Sequence, residues 1–371
     1  MTTVDARPAL LLPPTIRDVP CPGRAPVPAF AGTATVDRPA AAPAAGRVVM
    51  FDAMRVAAAL AVVVAHTPLV GTPWGNVWKH ATGSLRFGVS FFIVAGMILL
   101  ARSIARRPDQ TLAAYASARA ARLLPPLAAW SAIYAGFYWA MAAWLGARND
   151  VVPGPGLVLG GAAIHLWFLP FILAAGVAGF PLLRLAQRRP AARRWLLPAL
   201  AAAAGAAMCV PNKVEGFDRG TSWFLSQAAW SLPTVFAAVA VAMVYPRRVT
   251  GRAAGAAAAA GAVAFVVACA LAYKGVSSPA IQLAKGVAVS LVALAPWSPA
   301  PVRWLARLGT LSFGVYLCHL LFVTLFRELG GRVVPAGHAA FYPAVTVLAF
   351  AASYSAAVLA NRTRAGKVLF P

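Results

Sequence analysis

Apolar residues fall in long blocks along this chain, and polar residues are confined to the short stretches between them. Windows of the roughly 17–25 residues that a helix needs to cross a bilayer lie at 48–70, 86–101, 123–145, 161–183, 195–211, 224–245, 253–273, 281–298, 306–326 and 339–361. The pattern predicts an all-α integral membrane protein, with about ten transmembrane helices in one bundle and both termini on the same side. Residues 1–46 are different: Pro and Ala dominate and Arg is scattered, a composition that buries too little apolar surface to fold and predicts a disordered cytosolic tail. It lacks the apolar core and small-residue cleavage site of a signal peptide. The membrane domain then covers 47–363, and 364–371 is expected to be a short cytosolic tail.

Composition agrees. The 371 residues are 61% hydrophobic and 11% charged, with a mean hydropathy of +0.73, a balance that belongs to polytopic membrane proteins. The net charge of +24 invites a nucleic-acid reading, but the basic residues form no stripe. They sit in the short loops, as orientation signals do. If the N-terminus is inside, 23 of the 33 Lys and Arg lie on the cytosolic side and 9 outside (Arg86, Lys213 and Lys285 among them), with Arg55 within the first window. That asymmetry predicts an N-in/C-in, multi-pass protein of the cell membrane. The Ala, Arg and Pro bias fits a GC-rich bacterial genome. Cys21, Cys209, Cys269 and Cys318 show no C-x-x-C spacing, so neither a disulfide framework nor a metal site is expected.

Chemistry enters with the first window. Arg55 and His66 are 11 residues apart, so on a helix they share a face about 16 Å apart along the axis. Asp52 points to nearly the same side. Such residues are costly inside a bilayer and usually mark a site. In the ninth window Ser312, Tyr316 and His319 stand at i, i+4 and i+7, one polar stripe that must face protein or a cavity. Arg119 and Arg122 share a face ahead of the third window, with Arg102, Arg106 and Arg107 across the same loop. Planar guanidinium groups suit phosphate oxygens, although ordinary positive-inside charge explains them too. His165 and Trp167, near the outer end of the fourth window, read as an aromatic belt. No phosphate loop, G-x-S-x-G elbow or metal-spaced His cluster appears.

Taken in order, these blocks resemble the acyltransferase 3 family of integral membrane acyltransferases. Arg55-x₁₀-His66 preceded by Asp52 resembles its opening motif. Phe91-Phe92-Ile93-Val94-Ala95-Gly96 is similar to its Phe-Phe-x-x-Ser-Gly block, with Ala95 in place of the usual Ser. Arg119-x-x-Arg122-Leu-x-Pro125 resembles its basic loop motif, and Trp167-Phe168-Leu169 and Ser312 to His319 are similar to two further blocks. The resemblance implies a stand-alone member without the fused hydrolase-like domain. Its reaction would move an acyl group, commonly acetyl, from acyl-coenzyme A to a hydroxyl of a carbohydrate, glycolipid or glycosylated metabolite, with no permanently bound cofactor or metal.

In that reaction His66 is expected to act as base or acyl relay. Arg55 would neutralise charge near the thioester, with Asp52 orienting it, and Tyr316 and His319 would line the opposite wall. Arg119 and Arg122, with Arg102 or Arg106, would hold the CoA phosphates. The competing class is a proton-coupled small-molecule transporter, which the lack of an evident internal repeat disfavours. Reporter fusions at Thr2 and Lys367 test the orientation: both are expected to read cytosolic, and an outward-facing terminus would break the alternation.

Overall fold

The computed structural model describes residues 49–67, 75–146, 154–211, 213–216, 219–245, 251–274, 278–293, 300–335 and 338–370. The first 48 residues, with Cys21 and the expected tail, lie outside them. Among the described residues the α and 3-10 helices are joined only by turns and loops. The α-helices are α1 (Val49–Ala65), α2 (Gly75–Leu85), α3 (Gly88–Arg106), α4 (Leu112–Leu145), α5 (Pro155–Gly160), α6 (Phe168–Arg188) and α7 (Arg193–Met208). After them come α8 (Arg219–Val244), α9 (Gly251–Tyr273), α10 (Pro279–Val292), α11 (Ala300–Gly309), α12 (Ser312–Gly330), α13 (Phe341–Ala360) and α14 (Arg364–Leu369).

Every apolar window falls on a helix, but not with equal strength. Six segments are long and apolar enough to cross a membrane: Thr82–Arg106, Phe168–Arg188, Gly220–Val244, Arg252–Tyr273, Ser312–Gly330 and Phe341–Ala360. The first, third, fifth and eighth windows fall on α1, α4, α7 and α10. At 1.5 Å per residue, the 17 residues of α1 and the 14 of α10 reach only about 25 and 21 Å, short of a hydrocarbon core of about 30 Å. The ninth window is broken. The chain turns at Thr310–Leu311, where Thr310 Oγ1 donates to the Arg307 carbonyl at 2.7 Å, so α11 and α12 are separate helices.

Helix ends follow local chemistry. Thr111 caps α4 by accepting from the Ala114 N–H at 3.1 Å and Ser278 caps α10 ahead of Pro279, each satisfying an N–H of the first turn, while Gly146 closes α4 in the left-handed region at φ 64°. Pro125 and Pro126 lie inside the 34-residue α4.

The helix carrying the opening motif is clasped tightly. It packs against α3, α11 and α12. Gly309 meets the Asp52 carbonyl so closely that a Cβ there would overlap it. Phe51 of α1 packs at a tilt against Phe91 of α3, ring centroids 5.6 Å apart. Residues 364–370 are not a loose tail: α14 docks, Phe370 is buried against Trp130 at 5.3 Å, and Trp130 Nε1 donates to the Leu369 carbonyl at 2.9 Å.

Candidate active site

Three histidines from distant parts of the chain meet where α1 ends. His66 follows the last turn of α1, His319 sits in the second turn of α12, and His165 lies in the turn that leads into α6. Their ring centroids are 5.0 Å (His66–His319), 4.7 Å (His165–His319) and 6.0 Å (His66–His165) apart. His165 and His319 are fully enclosed, while His66 is half-buried. Gly161 makes the approach of His165 possible. Its φ of +73° suits only glycine, and a Cβ there would press on Leu166 and on the Ser131 hydroxyl that accepts from the Ala162 N–H.

The hydrogen bonds fix where each proton lies. A backbone carbonyl can only accept, so a ring nitrogen facing one carries its hydrogen. His66 Nδ1 donates to the Val62 carbonyl at 2.8 Å, and His319 Nδ1 to that of Tyr316 at 2.7 Å. His319 Nε2 therefore has the lone pair, and it faces His66 Nδ1 at 3.4 Å. The same logic leaves the lone pair of neutral His66 on Nε2. His165 Nε2 donates to the Leu317 carbonyl at 3.3 Å, and its Nδ1 is buried with no hydrogen-bond partner.

Two tyrosines lock this arrangement. The Tyr316 hydroxyl donates to the His165 carbonyl. The Tyr134 hydroxyl on α4 donates to the Leu317 carbonyl at 2.9 Å and accepts from the Leu321 N–H at 3.2 Å. Leu317 and Leu321 are i,i+4 partners in α12, so a side chain from α4 is built into the backbone ladder on either side of His319. Phe168, from the Trp-Phe-Leu block, packs on the Tyr316 ring at 5.8 Å. A cavity of about 470 Å³ opens beside His66, with Trp167 and Ser90 among its lining residues.

The expected residues divide between the two ends of the bundle. His66, Tyr316 and His319 come together. Asp52 and Arg55 pair at 2.9 Å, but at the other end of α1. The rise of the helix separates Arg55 from His66 by about 16 Å, and Asp52 ties its guanidinium back. It is badly placed to touch an acyl carbonyl held at His66, unlike the expectation that it neutralises charge near the thioester. Arg102 at the end of α3 lies over the Tyr245 ring at 5.7 Å, and Arg106 is exposed. Arg119, on the first turns of α4, has its Nε buried without a hydrogen-bond partner, and Arg122 is exposed. Burial lowers the pKa of Arg119, with Tyr115 opposing and the like charge of Arg122 adding to the shift; a bound anion would relieve that cost. The helix α6 packs between α3 and α4.

His165 and Tyr134 escaped the sequence reading. The aromatic-belt expectation for His165 and Trp167 is corrected, since both are buried inside the protein. Ala95, where the family motif has Ser, is buried on α3. Among the described residues no group of three His, Cys, Asp or Glu side chains could hold a metal ion.

Residues 49–359 match the acyltransferase domain model of the acyltransferase 3 family. The chain belongs to that family. No curated protein and no solved structure matches it. Membership makes this chain a membrane acyltransferase, and the motif blocks on α1, α6 and α12 are the parts that supply its histidine cluster and the rings around it. Tyr134→Phe in this acyltransferase removes only the hydroxyl that bridges Leu317 and Leu321. It is expected to cost about 1–3 kcal/mol for the buried groups left unpaired, read as a lowered melting temperature in detergent. An unchanged melt would show that the ladder of α12 closes without it.

Proposed function

We propose that the protein is an O-acyltransferase of the cell membrane that moves an acyl group, commonly acetyl, from acyl-CoA to a hydroxyl of a carbohydrate, glycolipid or glycosylated metabolite. The observation that carries this reading is the state of His66: its Nδ1 proton is committed to Val62, so the lone pair is left on Nε2, and the residue lines the cavity. A sugar hydroxyl is a weak nucleophile, and a positioned base is worth about 10²–10⁴ in rate.

In the proposed step Nε2 takes the hydroxyl proton as the oxygen forms a bond to the thioester carbonyl carbon. The tetrahedral adduct then expels the CoA thiolate, which recovers that proton from the imidazolium. The Val62 carbonyl, with the His319 Nε2 lone pair as a longer second acceptor of the same Nδ1–H, stabilises the imidazolium between the two transfers. The donor comes from the opposite end, where Arg119 and Arg122 hold phosphate with Arg102 and Arg106. Arg55 belongs to that half and contacts the donor arm, held in place by Asp52. The charge split along the sequence supports ten spans with both termini in the cytosol, which puts the arginine end on the side where acyl-CoA is made. Transfer without any ion gradient separates this reading from a proton-coupled transporter.

Two variants test the assignment. His66→Ala is expected to cut acyl transfer by about 10² or more while the protein stays folded and inserted, since the Val62 carbonyl it leaves still accepts the backbone N–H of residue 66 at 3.2 Å. Retention of more than roughly a tenth of the rate would move the base elsewhere. Arg119→Ala should raise the KM for acyl-CoA and leave that for the acceptor unchanged; the opposite pattern removes the donor assignment.

A further inference from the structure

The cavity beside His66 has a composition that the reaction alone does not require. Among its described lining residues the charged side chains are Arg86 and Lys213, both basic. Glu215, two residues beyond Lys213, lies outside the lining. Trp167, Trp223 and Trp230 provide aromatic faces, and Gln227 and Gln282 add side-chain amides that can both donate and accept. Its volume of about 470 Å³ falls within the range of small-ligand sites, about 300–1,000 Å³.

Both cations are exposed, and each has a backbone tie to a neighbouring helix close by in the chain. Arg86 follows the last turn of α2, and Lys285, fully buried in α10, donates from Nζ to the Gly83 carbonyl there at 2.9 Å. A cation at the C-terminal end of a helix is favourably placed, and here it comes from the middle of a neighbouring helix. Lys285 is thus not the outer-loop charge that the alternation count made it. The adjacent Ser84 is tied to Cys269 of α9, whose thiol donates to the Ser84 carbonyl at 3.2 Å; the Ser84 hydroxyl, shared with the His80 carbonyl at 2.9 Å, lies 3.2 Å from the Cys269 carbonyl. On the other side, next to Lys213, the Val214 N–H donates to the Ser226 hydroxyl on α8 at 3.0 Å. The Trp223 indole is oriented too, its Nε1 donating to the Ile164 carbonyl at 2.9 Å.

Resting on the O-acyltransferase reading, we propose that this cavity is the acceptor subsite and that it selects a carbohydrate bearing a carboxylate or phosphate. The anion meets Arg86 and Lys213, the sugar lies against the tryptophan faces, and a hydroxyl reaches His66. Aromatic rings suit the C–H faces of a sugar, and guanidinium and ammonium groups suit an anion.

The test uses the full chain in nanodiscs of phosphatidylcholine, with and without phosphatidylglycerol. Binding of methyl glucoside, methyl glucuronide and glucose 1-phosphate is titrated, and acetyl transfer from acetyl-CoA to each is followed. The two anionic probes are expected to bind about tenfold tighter than the glucoside. That preference should shrink with salt and vanish in the Arg86→Gln, Lys213→Gln double variant. Equal binding of the three probes, or binding of none, overturns the proposal, and so does a preference that survives the double substitution. A substitution effect seen only as lost dependence on phosphatidylglycerol also overturns it, making the two cations lipid-headgroup contacts. If the neutral glucoside is acetylated as well as the charged probes, the charge selection fails while acyl transfer stands. If the charged probes bind selectively and acetyl-CoA is not consumed with any of them, the subsite stands and the O-acyltransferase reading fails.

Discussion

In the middle of an apolar helix bundle a polar hydrogen has nowhere to go but a backbone or side-chain acceptor, and the histidine cluster is arranged around that constraint. His66 gives its Nδ1–H to Val62, His319 to Tyr316, and His165 gives its Nε2–H to Leu317, while Tyr316 and Tyr134 give their hydroxyl protons to His165 and Leu317. All five bonds satisfy a buried donor, and the three made by ring nitrogens also deny an imidazole its second tautomer. The nitrogen left with a lone pair is thereby chosen by backbone geometry, before any substrate arrives. Two carbonyls in the ladder of α12 accept these protons, so the histidines and the helix hold each other in place.

The same constraint sorts the cations. Arg184 gives its Nη1 to the Gln110 carbonyl at 2.8 Å, and Lys285 reaches Gly83; both use a positive charge to close backbone groups at a loop or helix end. Asp52 and Arg55 neutralise one another at the start of α1. Arg119 and Arg184 each keep a buried Nε without a hydrogen-bond partner, but Arg184 spends its other nitrogens on the Gln110 and Pro108 carbonyls. A buried donor without an acceptor is costly in a finished structure and useful in one awaiting an anion.

Contacts within one helix could be read from the chain, because the 100° step of a helix is the same in every protein. That step placed Arg55 and His66 on one face and lined up Ser312, Tyr316 and His319. Contacts between distant segments could not be read in this way. Nothing in the turn around His165 says that α12 lies across it, and an Ile-His-Leu-Trp run near a span end looks like any interfacial belt. Tyr134 was hidden for a related reason, being one tyrosine among many apolar residues of α4, with its value set by Leu317 and Leu321. Lys285 misled the charge count because alternation treats every lysine near a span end as solvated. The break at Thr310–Leu311 carries no proline, and Gly309 gained meaning only when it met the Asp52 carbonyl.

Under the proposed reaction, the cluster and the cavity impose different conditions on water. His319 and His165 are sealed, so water does not compete for the nitrogens that steady His66. His66 itself faces an open cavity with polar side chains among its mostly apolar walls, and a cavity of this size that opens outward admits water. A water at Nε2 would be activated as readily as a sugar hydroxyl, turning transfer into hydrolysis of the donor. The fold offers one way to prevent this. An acceptor that fills the cavity displaces the water, and only then does the lone pair meet a hydroxyl whose attack yields an ester. Acceptor binding and protection of the thioester are then the same event, and the tryptophan faces beside His66 serve the chemistry by excluding solvent as much as by recognising a sugar.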